Sequence, residues 1–119
     1  PARNNFLGKV YLLTGGYSFS ATTLFAASVK GQANILIIGE EAGGGYYGNN
    51  GVFIPEMILP NTEVRVRLPL YRIVNNKNFP KNGSGVMPDL EVKPTAETIR
   101  MNRDPKMEKA VELIMQRKR

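Results

Sequence analysis

A serine stands where one element gives way to another, in Thr14-Gly15-Gly16-Tyr17-Ser18-Phe19-Ser20-Ala21. The apolar run Val10-Tyr11-Leu12-Leu13 before it reads as a buried strand. After it, Ala21, Leu24, Phe25 and Val29 fall on one face of a predicted helix. The first N–H groups of a helix lack partners, and the helix dipole makes that end electropositive. A hydroxyl held there can attack a carbonyl carbon while nearby N–H groups stabilise the oxyanion. The plainer role for Ser20 is an N-cap, its oxygen accepting from an N–H two or three residues on.

The chain contains no histidine and no cysteine, so a Ser-His-Asp triad cannot be assembled within it. If Ser20 is a nucleophile, its base is a lysine or comes from outside this sequence. Lys30 lies ten residues along the helix, about 15 Å at the usual rise, and cannot reach it.

The elements that must position Ser20 follow from the flanking pattern. Lys30-Gly31-Gln32 ends the helix, and Ile35-Leu36-Ile37-Ile38 forms a second buried strand, giving a parallel, right-handed βαβ unit. A glycine-rich loop follows from Gly39 to Gly51. It contains a formal G-x-G-x-x-G (Gly43, Gly45, Gly48), but Val52-Phe53-Ile54 is strand-like where a dinucleotide site needs a helix. The consecutive glycines instead allow close approach of a neighbour or a peptide.

A hairpin is predicted from Phe53 to Leu70 around Pro60-Asn61-Thr62, with Val64, Val66 and Leu68 facing the core and Arg65 and Arg67 outward. The stretch from Asn75 to Ser84 reads as a loop and carries a formal glycosylation sequon, Asn82-Gly83-Ser84, taken as chance. Gly85-Val86-Met87-Pro88-Asp89 turns into a short strand, with Asp89 and Glu40 in structural roles. Thr95 caps a brief helix, and Asp104-Pro105 opens another whose Met107, Ala110, Val111 and Ile114 share a core-facing stripe.

The 119 residues fit one domain or the larger part of one, and 42% apolar content supports a packed core. The start at Pro1-Ala2-Arg3-Asn4-Asn5 reads as an interior piece of something longer. No apolar run is long enough to span a membrane, and no signal peptide opens the chain. The net charge of +6 is uneven: residues 1–60 hold three basic and three acidic side chains, residues 61–119 thirteen and seven. The surplus is scattered, ending in Arg117-Lys118-Arg119, and no basic stripe interleaves with aromatics as a nucleic-acid surface requires.

Five segments in order resemble the C-terminal part of the tail-specific, or C-terminal-processing, serine peptidase family. They are Gly8-Lys9-Val10-Tyr11-Leu12-Leu13-Thr14, Ser20-Ala21 at a helix start, Ile37-Ile38-Gly39-Glu40 with its glycine loop, Leu59-Pro60-Asn61, and Gly85-Val86-Met87-Pro88-Asp89. The resemblance implies an α/β fold, a Clp-protease/crotonase-like spiral of βαβ units. Here it would be a partial domain with a β-hairpin and C-terminal helices. Residues 1–119 would be the nucleophile-bearing C-terminal part of one peptidase domain.

The implied activity is hydrolysis of peptide or protein substrates through an acyl-enzyme on Ser20, with the Ala21 N–H as half of the oxyanion hole. Gly44, Gly45 and Asn49 become substrate-loop residues, and no metal or organic cofactor is implied. The implied setting is secreted or periplasmic. Pairing with a second copy, covering apolar surface, stays open.

In the Ser-Lys branch a lysine follows the nucleophile by 25 positions, where this chain has Gly45. Ser18-Phe19-Ser20-Ala21 better resembles the tricorn-like branch, whose base is a histidine from an earlier segment. The carboxylate expected before the Gly-Val-x-Pro-Asp segment has no obvious counterpart; Asn82 stands near that place. The alternative is a non-catalytic peptide- or hydrophobic-ligand-binding module on the same fold.

Overall fold

A computed structural model describes residues 6–75, 77–79 and 81–117. The terminal Lys118 and Arg119, the opening residues 1–5, and Asn76 and Pro80 of the expected loop lie outside them. Strand β1 (Val10–Thr14) and strand β2 (Ile35–Gly39) pair in parallel from Val10↔Ile35 to Thr14↔Gly39. Helix α1 (Ala21–Val29) connects them, as the apolar runs predict. Its C-terminus closes where expected, the Lys30 N–H donating to the Ala26 carbonyl (3.0 Å) before Gly31 at φ 83°.

Two small antiparallel ladders follow. Strand β3 (Gly48–Asn49) pairs with β6 (Ile73–Val74), and β4 (Glu56–Ile58) with β5 (Arg65–Arg67). Strand β7 (Leu90–Glu91) then joins the free edge of β2 in parallel, completing the order β1-β2-β7. Helices α2 (Ala96–Arg100) and α3 (Pro105–Arg117) end the described chain, and α3 lies against β1 and β2. Both begin as the sequence predicts. The Thr95 and Thr98 side chains exchange bonds with each other's backbone N–H, and Asp104 Oδ1 accepts from the Lys106 and Met107 N–H groups.

The core is small: Ala26, Ile37, Ala42 and Val86 are buried, with Leu12, Ala27 and Tyr46 packed around them. Three expected faces need correction. On α1 the buried stripe is Thr23, Ala26 and Val29, while Phe25 is 53% exposed and Ala21 is exposed. Small side chains on that stripe let the helix backbone approach its neighbours closely. On α3 only Ala110 of the predicted stripe is buried, with Met107, Val111 and Ile114 left open. On the hairpin, alternation holds but Val64 and Leu68 are more than half exposed, because among the described residues no layer covers its apolar face.

The molecule is correspondingly extended, 69 × 45 × 28 Å with a radius of gyration of 18.7 Å. A compact chain of this length would measure about 13.5 Å.

Asp89 ties the sheet together from the side. Its Oδ2 accepts from the Ile37 N–H (2.9 Å), its own N–H donates to the Ile37 carbonyl (2.8 Å), and Lys30 Nζ donates to Oδ1 (2.6 Å). The structural role expected of Asp89 is therefore present, and its partner is a β2 residue 52 positions away. Partial burial opposes its charge; the hydrogen bonds from Lys30 and Ile37 and the Lys30 and Lys9 charges outweigh this and hold the carboxyl below its ordinary value.

Asp89→Ala should cost about 1–3 kcal/mol in urea unfolding at neutral pH, since it orphans the Ile37 N–H and the Lys30 ammonium. Because the folded carboxyl titrates below its unfolded value of about 3.9, this contribution is full at neutral pH. It fades as pH falls below about 4 and is lost below the folded value. The Asp89→Asn variant should lack that acid-limb loss.

Candidate active site

The tips of β1 and β2 are pinned before the chain turns. Thr14 Oγ1 donates to the Glu40 carbonyl (2.9 Å), and the Glu40 N–H donates to the Thr14 carbonyl (3.1 Å). Ser18 then closes a turn, its N–H donating to the Gly15 carbonyl (2.8 Å) and its Oγ accepting from the Gly15 N–H (3.1 Å).

Two residues later Ser20 adopts φ 51°, ψ −118° immediately before α1. That backbone is uncommon for a side chain with a Cβ and costs on the order of 1–3 kcal/mol. The N-cap reading does not hold, because the Ser20 side chain makes no capping hydrogen bond and the residue is exposed. The Thr22 N–H turns back to the Phe19 carbonyl (3.1 Å), while the Ala21 N–H has no partner among the described residues. An exposed hydroxyl thus sits beside a free helix-terminal donor, an arrangement suited to nucleophilic attack with oxyanion stabilisation.

The glycine-rich loop closes over this turn. The Ser18 carbonyl accepts from Thr23 Oγ1 (2.7 Å) and from the Gly44 N–H (3.2 Å), joining turn, helix and loop at one oxygen. Gly44 must lack a side chain, since a methyl there would meet the Thr23 hydroxyl and lie 3.2 Å from the Ser20 nitrogen. Further along, a methyl on Gly51 would lie 3.7 Å from both Ser20 Oγ and Asn49 Oδ1. Those two oxygens are therefore no more than twice that distance apart, and the Asn49 oxygen accepts from the Gly51 N–H (3.0 Å).

Of the residues singled out from sequence, Ser20, Ala21, Gly44 and Asn49 thus gather at one place. At Gly45 a methyl would sit 3.1 Å from the Gly48 carbonyl oxygen, a tight fit for any side chain. The lysines flanking the site are committed elsewhere, Lys30 to Asp89 (2.6 Å) and Lys106 to Glu40 (2.7 Å).

Asn82 Oδ1 accepts from the Ser84 N–H (3.1 Å) and hydroxyl (2.6 Å), so its side chain serves a local turn. The carboxylate that meets the Gly-Val-x-Pro-Asp segment is Glu41, accepting from the Gly85 N–H (2.6 Å). Sequence reasoning missed it because the partners stand 44 residues apart. A cleft of about 320 Å³ lies beside the turn, bordered by Leu13, Ser18, Glu40 and Lys106, and does not include Ser20. The Ser20 face is open.

The family model described as Peptidase family S41 matches residues 1–92. Among solved structures, the chain is similar to a candidate peptidase of Parabacteroides merdae ATCC 43184, at 25% sequence identity and a TM-score of 0.61. The similarity covers 95% of this chain and 34% of that one, so the chain spans about a third of that protein's length. No curated protein matches.

Replacing a true serine N-cap by alanine costs typically about 1 kcal/mol. Ser20→Ala should instead change urea stability by less than about 0.5 kcal/mol, because no cap bond is lost. Gly44→Val should be destabilised by several times that, on the order of 2 kcal/mol or more, through its clash with Thr23.

Proposed function

Because this chain belongs to peptidase family S41, we propose that it carries the nucleophile of a serine endopeptidase and that the nucleophile is Ser20. The observation that carries this reading is the Ser20 backbone. A strained φ of 51° leaves the hydroxyl exposed and uncapped beside the unpartnered Ala21 N–H. Strain of this kind persists where function requires a side chain to be presented.

In the proposed reaction Ser20 Oγ attacks the scissile carbonyl carbon and its proton passes to a base. The Ala21 N–H donates to the oxyanion. The tetrahedral intermediate then collapses, the C–N bond breaks, and the amine leaves with the proton from the base. Water hydrolyses the resulting ester and frees Ser20.

With no histidine in the sequence, Lys30 and Lys106 in ion pairs and Lys81 held over the Tyr47 ring, we assign the base to a histidine outside residues 1–119. This is the tricorn-like arrangement. Residues 1–119 are then the C-terminal, nucleophile-bearing part of one peptidase domain with a crotonase-like spiral, inactive by itself. Gly44, Gly45 and Asn49 form the loop along which the peptide lies, and a secreted or periplasmic setting belongs to the same proposal. Among the described residues no helix is long and apolar enough to cross a membrane.

Gly45 at the lysine position of the Ser-Lys branch favours a second reading, a peptide- or hydrophobic-ligand-binding module without catalysis. A fluorophosphonate separates the two. On the full-length protein it should label Ser20, located by mass spectrometry, and Ser20→Ala should abolish labelling. Failure to label where a control serine peptidase reacts, with peptide binding retained, would leave only the binding module.

A further inference from the structure

The glycine loop leaves the serine at Gly44 and returns to it at Gly51, and Tyr47 stands between those contacts. Tyr47 follows Gly44 by three positions, at most about 10 Å of extended chain. The loop is held at that point by two neighbouring segments. The Asn75 N–H donates to the Tyr47 carbonyl (2.9 Å), and the Tyr46 N–H donates to the Ser84 carbonyl (2.8 Å).

Each segment brings a cation to the Tyr47 ring. The Arg72 guanidinium and the Lys81 ammonium each lie 5.0 Å from its centroid. The two charges are therefore no more than twice that distance apart, and neither forms an ion pair among the described residues. Their own stretch of the sequence holds few acidic residues. Residues 57–88 contain Arg65, Arg67, Arg72, Lys77 and Lys81 but only one acidic residue, Glu63. The ring's negative face offsets part of the repulsion and leaves both cations with donors to spare.

Resting on the reading of the Ser20 face as a peptide site, the geometry points to the Arg72–Tyr47–Lys81 cluster as a carboxylate-binding subsite. Arg72 offers a planar fork that matches a carboxylate, Lys81 a point charge, and the Tyr47 hydroxyl a third donor. The distance of that carboxylate from the scissile bond, at about 3.3 Å per extended residue, is what a stepped peptide series reads out. The carboxylate is an acidic side chain or the terminal carboxylate of the bound peptide.

Fluorescence anisotropy on the full-length Ser20→Ala protein tests this without turnover. One labelled peptide is neutral and C-terminally amidated, a second series carries a single Asp stepped along it, and a third ends in a free carboxylate. One of the carboxylate series should bind about three- to tenfold tighter than the neutral peptide. Which series does so identifies the source of the charge.

The preference should shrink at about 0.5 M salt. It should vanish in the Arg72→Gln/Lys81→Gln double variant, whose fold is checked by its melting curve. Equal affinities across the set, no binding by any peptide, or a preference that survives the double substitution would overturn the subsite. Labelling of wild-type Ser20 by the fluorophosphonate is read independently. A labelled serine without carboxylate preference removes only the subsite; a carboxylate preference without labelling removes only the nucleophile.

Discussion

Both accepting positions of the Ser18 carbonyl are occupied, one by the Thr23 hydroxyl and one by the Gly44 N–H. Through that oxygen the turn after β1, the first turn of α1 and the glycine loop become one unit. Ser20 lies inside the unit, two residues from the shared carbonyl, and its unfavourable backbone persists because both sides of it are held. If either donor were lost, the turn could relax and the free helix-terminal N–H would no longer face a presented hydroxyl.

The loop is in turn fixed from behind. Its Ala42 N–H donates to the Val86 carbonyl (3.0 Å), and the Glu41 carboxylate receives the Gly85 N–H (2.6 Å). Beyond Gly85 the chain reaches Asp89, which clamps Ile37 at the middle of β2. The path from sheet to serine thus runs through backbone hydrogen bonds and two carboxylates, with only a small apolar core to support it. Such polar contacts set position well, because each has a direction as well as a strength.

Away from this centre the chain exposes much apolar surface. The hairpin shows Met57, Val64 and Leu68, and α3 shows Met107, Val111 and Met115. These apolar side chains have no covering layer among the described residues. The chain also spans about a third of the length of the structure it resembles. Hydrophobic periodicity reports which way side chains point along an element, and it was right about the alternation of β5. It does not report what lies opposite, so Val111 and Leu68 read as core and are open.

Local signals determined what acts within a few residues: β1, α1 and β2, the hairpin, and the starts of α2 and α3 at Thr95 and Asp104. The sequence also determined that no base of the histidine or cysteine kind could come from these residues. Only the tertiary structure decided the backbone of Ser20, the exclusion of a side chain at Gly44, and the pairing of Glu41 with Gly85. The physical reason is distance along the chain. A cap or a periodic face is a property of adjacent residues, whereas the strained serine is held both by nearby Thr23 and by Gly44, in a loop beyond the next strand.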